Sequence, residues 1–144
     1  MGMFDAIDIS ASGLTAERLR MDVTAENLAN AQSTRTPEGG PYRRKTVVLQ
    51  QAGGSFAGQL AGALGGGEPR GVEAVGVVAD NTPLRQVYDP GNPEANGNGY
   101  VTMPNVNPVT EMTDLIDASR AYQANVTALQ TTKTAFTKTI ELLR

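Results

Sequence analysis

The chain has 144 residues, a hydrophobic share of 40%, only 5% aromatics, no tryptophan and a formal net charge of −3. That leaves room for one modest core carried largely by Ala and Val, and an extended architecture is compatible with it. Cysteine and histidine are both absent, which excludes disulfides and thiolate metal sites and removes the commonest general base and metal ligand. An enzyme is therefore disfavoured and no cofactor is expected.

The N-terminal stretch MGMFDAIDIS has acidic residues and no basic region, so it does not read as a cleaved signal peptide. It also lacks the Ser or Thr expected at the sixth position for myristoylation. From Phe4 onward, apolar residues recur at spacings of three and four: Phe4, Ile7, Ala11, Leu14, Met21, Ala25 and Leu28, with Arg18 as the polar interruption. This predicts a helix of about four heptads. Its continuity is broken only by Gly13, at a modest cost in propensity. The pattern stops at Asn30, and AQSTRTPEGGPYRRK follows with Pro37, Gly39, Gly40 and Pro41. A missing N–H, a fixed φ and excess backbone entropy all oppose a helix there, so the helix must end near Asn30 or Ala31.

Beyond this first joint, YRRKTVVLQQ and GVEAVGVV carry β-branched runs that predict two strands, and LRQVY predicts a short third one after a turn at Asp80, Asn81 and Pro83. The Gly/Ala-rich AGGSFAGQLAGALGGGEPRG between the first two reads as a flexible loop, because it offers little side-chain area to offset the entropy of ordering. DPGNPEANGNGYVTMPNVNP, dense in Pro, Gly and Asn, reads as a second joint. Asn107 then suits an N-cap and Pro108 the first helical position, with no glycine after them. A final helix of roughly 35 residues is expected. Its stripe is Met112, Leu115, Ser119, Tyr122, Val126, Leu129, Lys133, Phe136, Ile140 and Leu143, widened by Ile116, Ala121, Ala124, Ala128, Ala135 and Leu142.

The expected fold is mainly α with a small β insertion. Long N- and C-terminal helices pack as a coiled-coil-like hairpin, and short strands and a flexible loop lie between them. Residues 1–33 and 106–144 would form the helical core and residues 34–105 the joint, β region and loop. A two-helix hairpin with open flanks is marginal by itself, and neighbouring subunits could supply the missing burial. The candidate assembly interface is Phe4, Ile7, Leu14, Met21, Leu28, Asn30, Met112, Leu115, Tyr122, Val126, Leu129, Phe136, Ile140 and Leu143.

Other motifs point to no chemistry. The YRRK run reads as a solvated strand edge rather than an anion patch, since three adjacent basic residues at a strand start usually face water. Asp89, Glu94 and Asn96 to Asn98 lack the order of a calcium loop. GALGGGEPRG lacks the lysine and the strand-to-helix context of a phosphate loop. Asp114 and Asp117 share a helical face but read as solvated charge. The mildly acidic balance speaks against nonspecific nucleic-acid binding, and no apolar run reaches the roughly 18 residues of a membrane span.

The segment SGLTAERLRMDVTAENLANAQSTRTPEGGPYRRK resembles the N-terminal signature of bacterial flagellar axial proteins, specifically those of the proximal rod. Its helix ending and turn fall on Asn27, Asn30, Thr36, Gly39, Pro41, Tyr42 and Arg43. YDPGNPEANGNGYVTMPNVNPVTEMTDLIDASRAYQANV resembles the second half of the same family, with Asn92 standing where a histidine is expected. The resemblance implies a structural subunit of the flagellar basal body, exported by the flagellar type III apparatus without a cleaved signal. Its partners would be other rod proteins and copies of itself in a helical tube spanning the periplasm, with no nucleic acid and no direct membrane insertion. That tube would carry motor torque to the hook. The rival class is a coiled-coil adaptor or secretion chaperone, which would fold stably alone as a soluble dimer.

Overall fold

The heptad pattern from Phe4 to Leu28 forms one continuous helix, α1 (Met3–Ala29), in a computed structural model that describes residues 3–37, 39–53, 60 and 71–142. The helix stops where the joint begins. The Ala31 N–H donates to the Leu28 carbonyl at 3.2 Å, tightening the last turn, and the Asn30 side chain donates to the Glu26 carbonyl at 2.9 Å. The chain then closes a tight loop in which the Tyr42 N–H donates to the Ser33 carbonyl and the Thr36 N–H to the Gly40 carbonyl. Gly39 and Gly40 make the bend with φ of 91° and 78°, a backbone region that side-chain-bearing residues avoid.

Four strands follow: β1 (Lys45–Gln51), β2 (Val72–Ala79), β3 (Arg85–Tyr88) and β4 (Tyr100–Met103). They form two separate two-stranded sheets, β1 with β2 and β3 with β4. β1 and β2 run antiparallel, as shown by bonds from the Asp80 N–H to the Arg44 carbonyl and from the Ala52 N–H to the Gly71 carbonyl. In the second sheet Tyr88 faces Tyr100 and Arg85 faces Met103. The expected turn before β3 is an Asx turn, with the Thr82 N–H donating to Asp80 Oδ1 at 2.9 Å.

β4 corrects the reading of residues 89–107 as joint alone. Its short run, Tyr100 to Met103, is hidden among Asn, Gly and Pro, yet Gly99 at φ 78° turns the chain back into a hairpin. The Gly/Ala-rich loop expected between β1 and β2 lies for the most part outside the described residues.

The last element, α2 (Pro108–Leu142), has the expected length of 35 residues. Asn107 caps it: its Oδ1 accepts the Val109 N–H at 3.1 Å while its carbonyl accepts the first helical bond from Glu111. The fold is thus mainly helical, with two long terminal helices packed together and a small strand insertion between them in sequence.

The chain divides into two compact units. A helical unit comprises Met1–Leu19, Val48–Gly76 and Asp117–Arg144, and a joint unit comprises Arg20–Val47 and Val77–Ile116. In the helical unit α1 and α2 run antiparallel. The Phe4 ring meets Phe136 edge-on at 6.3 Å between centroids, and a Cβ on Gly13 would stand 2.9 Å from Asn125 Nδ2. Ser12 Oγ accepts the Val72 N–H at 3.0 Å, fastening the start of β2 to α1. In the joint unit the apolar core is a cluster of Ala31, Tyr42 and Val106, with Val23, Val101 and Pro104 also buried.

Candidate functional site

Two features of the chain bear on function: a buried polar network in the joint unit and the apolar stripes of the helices. The network is centred on Asn27, 1% exposed on the last full turn of α1. A carboxamide can donate two hydrogen bonds and accept two, and Asn27 makes all four. Its Nδ2 donates to the Lys45 carbonyl at 2.8 Å and to Glu111 Oε2 at 3.0 Å; its Oδ1 accepts the Lys45 N–H at 2.8 Å and the Tyr42 hydroxyl at 3.0 Å. By pairing with both main-chain groups of Lys45, the amide does for the first residue of β1 what a partner strand would do.

Glu111, in the first turn of α2 and 1% exposed, is held from two sides. Oε2 takes the Asn27 bond and Oε1 accepts Arg44 Nε at 2.6 Å. The guanidinium also reaches Asp114 Oδ2 at 3.1 Å and Thr46 Oγ1 at 3.3 Å. The Arg44 main chain is fixed as well, its N–H donating to Asn105 Oδ1 at 2.8 Å. Asn105 Nδ2 in turn donates to the Asp80 carbonyl and to Thr82 Oγ1. The hydrogen bond to Glu111 raises the Arg44 pKa further, against the opposing effect of its own burial. Burial, with Glu26 nearby, raises the Tyr42 hydroxyl above its ordinary value, so it remains a donor at neutral pH. No buried side-chain nitrogen or oxygen among the described residues lacks a partner.

An isolated buried carboxylate is strongly disfavoured, so this arrangement locks together three segments distant in sequence: the end of α1, the start of β1 and the start of α2. It offers no nucleophile and no open coordination position. Among the described residues no group of carboxylates could hold a metal ion, and no helix is long and apolar enough to cross a membrane.

These positions correct two readings of the sequence. The YRRK run is not simply a solvated edge, because Arg44 carries a central ion pair, and Asp114 is tied to it rather than standing as loose surface charge. The resemblance was carried on Arg43, which is exposed; the anchored arginine is its neighbour. Asn105 and Glu111 were not singled out at all. The one available signal was the spacing of Glu111 and Asp114, which puts two carboxylates on one face of the first turns of α2. Lys45 makes a second pair with Glu26 at 2.6 Å, but both side chains are substantially exposed, which makes such a pair weak.

The residues of the candidate assembly interface do not converge on one site; they run along the helix faces. Phe4, Met112, Phe136 and Ile140 are exposed, at 68%, 54%, 38% and 51%. Ile7, Leu14, Met21, Leu28, Asn30, Leu115, Tyr122, Val126 and Leu129 are half-buried. Leu143 lies outside the described residues. The buried positions of α1 are instead Ala16, Val23, Thr24 and Asn27, a face offset from the heptad stripe. The stripe is therefore only partly covered within the chain itself.

Comparisons with known proteins bear on what could cover it. Residues 7–35 match the family described as flagella basal body rod protein, and residues 98–142 match the family described as flagellar basal body rod FlgEFG protein C-terminal. A Bacillus subtilis protein, flagellar basal-body rod protein FlgC, is 44% identical over 148 residues, covering 99% of both chains. Its namesake in Borreliella burgdorferi is 40% identical over 154 residues, covering 100% of this chain and 99% of its own. The Salmonella typhimurium protein of the same name is 44% identical over 142 residues, covering 99% of this chain and 98% of its own.

Proposed function

This chain belongs to the FlgC family of flagellar basal-body rod proteins and is a structural subunit of the rod; from that premise we propose that it builds the proximal rod by laying its terminal helices against copies of itself and other rod proteins. The resulting tube is the shaft that carries motor torque to the hook. The observation that carries this reading is the exposure of large apolar side chains at heptad positions, Phe4 on α1 and Met112, Phe136 and Ile140 on α2. Water disfavours such a stripe, and its coverage by neighbouring helices in a wall contributes the burial that the lone chain lacks. The protein has no catalytic role in this reading. It reaches the basal body through the flagellar export apparatus with its N-terminus uncleaved, and spans the periplasm as part of the rod.

Met112→Asp and Ile140→Asp test the reading, because each places a charge where a neighbour would bury it. Both variants should be exported and yet leave cells non-motile and without complete rods. Intact rods that contain either variant and turn normally would overturn it.

A further inference from the structure

The joint unit carries a cleft of about 460 Å³ that no residue of its own chain occupies, lined by Glu26, Asn30, Thr36, Pro41, Tyr42, Arg43 and Lys45 among others. Its charges do not balance. Glu26 and Lys45 pair at 2.6 Å, whereas Arg43 is exposed and makes no ion pair among the described residues. The cleft therefore presents one uncompensated guanidinium beside a tyrosine and two prolines.

The same unit carries a projection of complementary character. At the tip of the β3–β4 hairpin, Tyr88 and Tyr100 pack edge-on at 5.2 Å between ring centroids, yet remain 64% and 41% exposed. The connecting loop has Asp89 and Glu94 as its only charged residues. It is also rigid. Asn92 Oδ1 accepts the Glu94 N–H, and Asn96 Oδ1 accepts the N–H groups of both Asn98 and Tyr100, each at 3.0 Å. The Tyr88 ring lies so close over Gly99 that a Cβ there would stand 2.9 Å from it. A preorganised aromatic pair with two carboxylates at its edge is the kind of surface that anchors a protein contact at little entropic cost.

We infer that the cleft of one subunit receives the Tyr88–Tyr100 hairpin tip of a second copy, with Arg43 of the cleft meeting Asp89 and Glu94 of the hairpin. The inference rests on the rod-subunit reading and adds a second contact to the helix stripes. Charge complementarity selects this occupant: an acidic aromatic knob fits a hollow whose uncompensated charge is positive. Because knob and hollow are different surfaces, the contact is head-to-tail. Each copy keeps one of each free for the next, which generates an open helical series rather than a closed two-fold pair.

The test uses charge reversal in a flagellated host that lacks its own FlgC and is complemented by this chain. Arg43→Glu alone and Asp89→Arg alone should each lower the number of complete rods per cell, by roughly tenfold, the scale of losing one interfacial charge pair. The double variant should recover most of the loss. Because the chain has no cysteine, a Pro37→Cys, Glu94→Cys variant gives an independent readout. Oxidised basal bodies should yield a ladder of cross-linked copies of this chain, and the single-cysteine variants should not. A double reversal no better than its worse parent, or cross-links only to a different rod protein, would overturn the inference. Failure of the unaltered chain to enter basal bodies would instead overturn the rod-subunit reading, so the two failures are distinct.

Discussion

The joint unit and the helical unit bury opposite kinds of side chain. In the joint unit the described buried residues include Val23, Tyr42, Val101 and Val106, together with Asn27 and Glu111. In the helical unit the described residues buried to this degree are two alanines, Ala16 and Ala118, whose small side chains contribute little transfer free energy. The distal half of α2 is also a weak helix by composition. Thr127, Thr131, Thr132, Thr134, Thr137 and Thr139 each turn their hydroxyl back onto the carbonyl four residues earlier. Threonine in a helix is both less favourable than straight-chain residues and prone to this competing bond. The joint therefore holds its form through satisfied polar groups and a small apolar core, whereas the helical unit depends on what packs against it.

The sharpest way to break this contrast is Glu111→Ala. It strands the largely buried Arg44 guanidinium and one donor of Asn27, and should cost about 3–5 kcal/mol of stability. Thermal unfolding of the purified chain measures it, and a loss below about 1 kcal/mol would mean the network does not organise the joint.

Tyr42→Phe removes one bond to Asn27 and should cost about 1 kcal/mol. It also carries a pH signature. The Tyr42 pKa is raised in the folded state, chiefly by burial, so the unfolded chain loses that proton first as pH rises. Stability from Tyr42 is complete below the ordinary tyrosine value of about 10 and falls as pH climbs through the folded value above it. The phenylalanine variant should show a shallower alkaline decline than the parent, and identical slopes would contradict the assignment.

In the helical unit Gly13→Ala should act in the other direction. A helix interior gains roughly 0.8–1 kcal/mol on replacing Gly with Ala. The new methyl would press on the flexible end of Asn125, which can move, leaving a small net stabilisation. A net loss in unfolding experiments would show that α1 and α2 approach more rigidly than alanine burial implies. The smallest effect on the lone chain is expected of Met112→Asp, within about 0.5 kcal/mol of the parent, since Met112 is already exposed.

The sequence made the helices legible because their ends are written locally: Asn107 and Pro108 start α2, and the Pro37 to Pro41 run stops α1. Local signals also marked β1, β2 and β3. β4 was obscured by the turn residues around it. The polar network was not legible as a network, because Asn27 and Glu111 are 84 positions apart and no spacing rule links residues at that distance. Arg44 and Arg43 are likewise indistinguishable in the sequence, and only the direction of β1 decides which one faces Glu111. The offset between the heptad stripe of α1 and its buried face also needed the structure, since a stripe identifies an apolar face without saying what covers it.

Hydrogen exchange on the dilute, unassembled chain, repeated on purified rods, tests the contrast between the two units most directly. In the lone chain the amides of Asn27, Tyr42, Lys45 and Val101 should exchange slowly, while those from Phe4 to Leu19 and from Thr127 to Leu142 exchange fast and become protected only in the rod. Protection of Phe4 to Leu19 in the dilute chain equal to that of Asn27 would contradict the dependence of the helical unit on its neighbours.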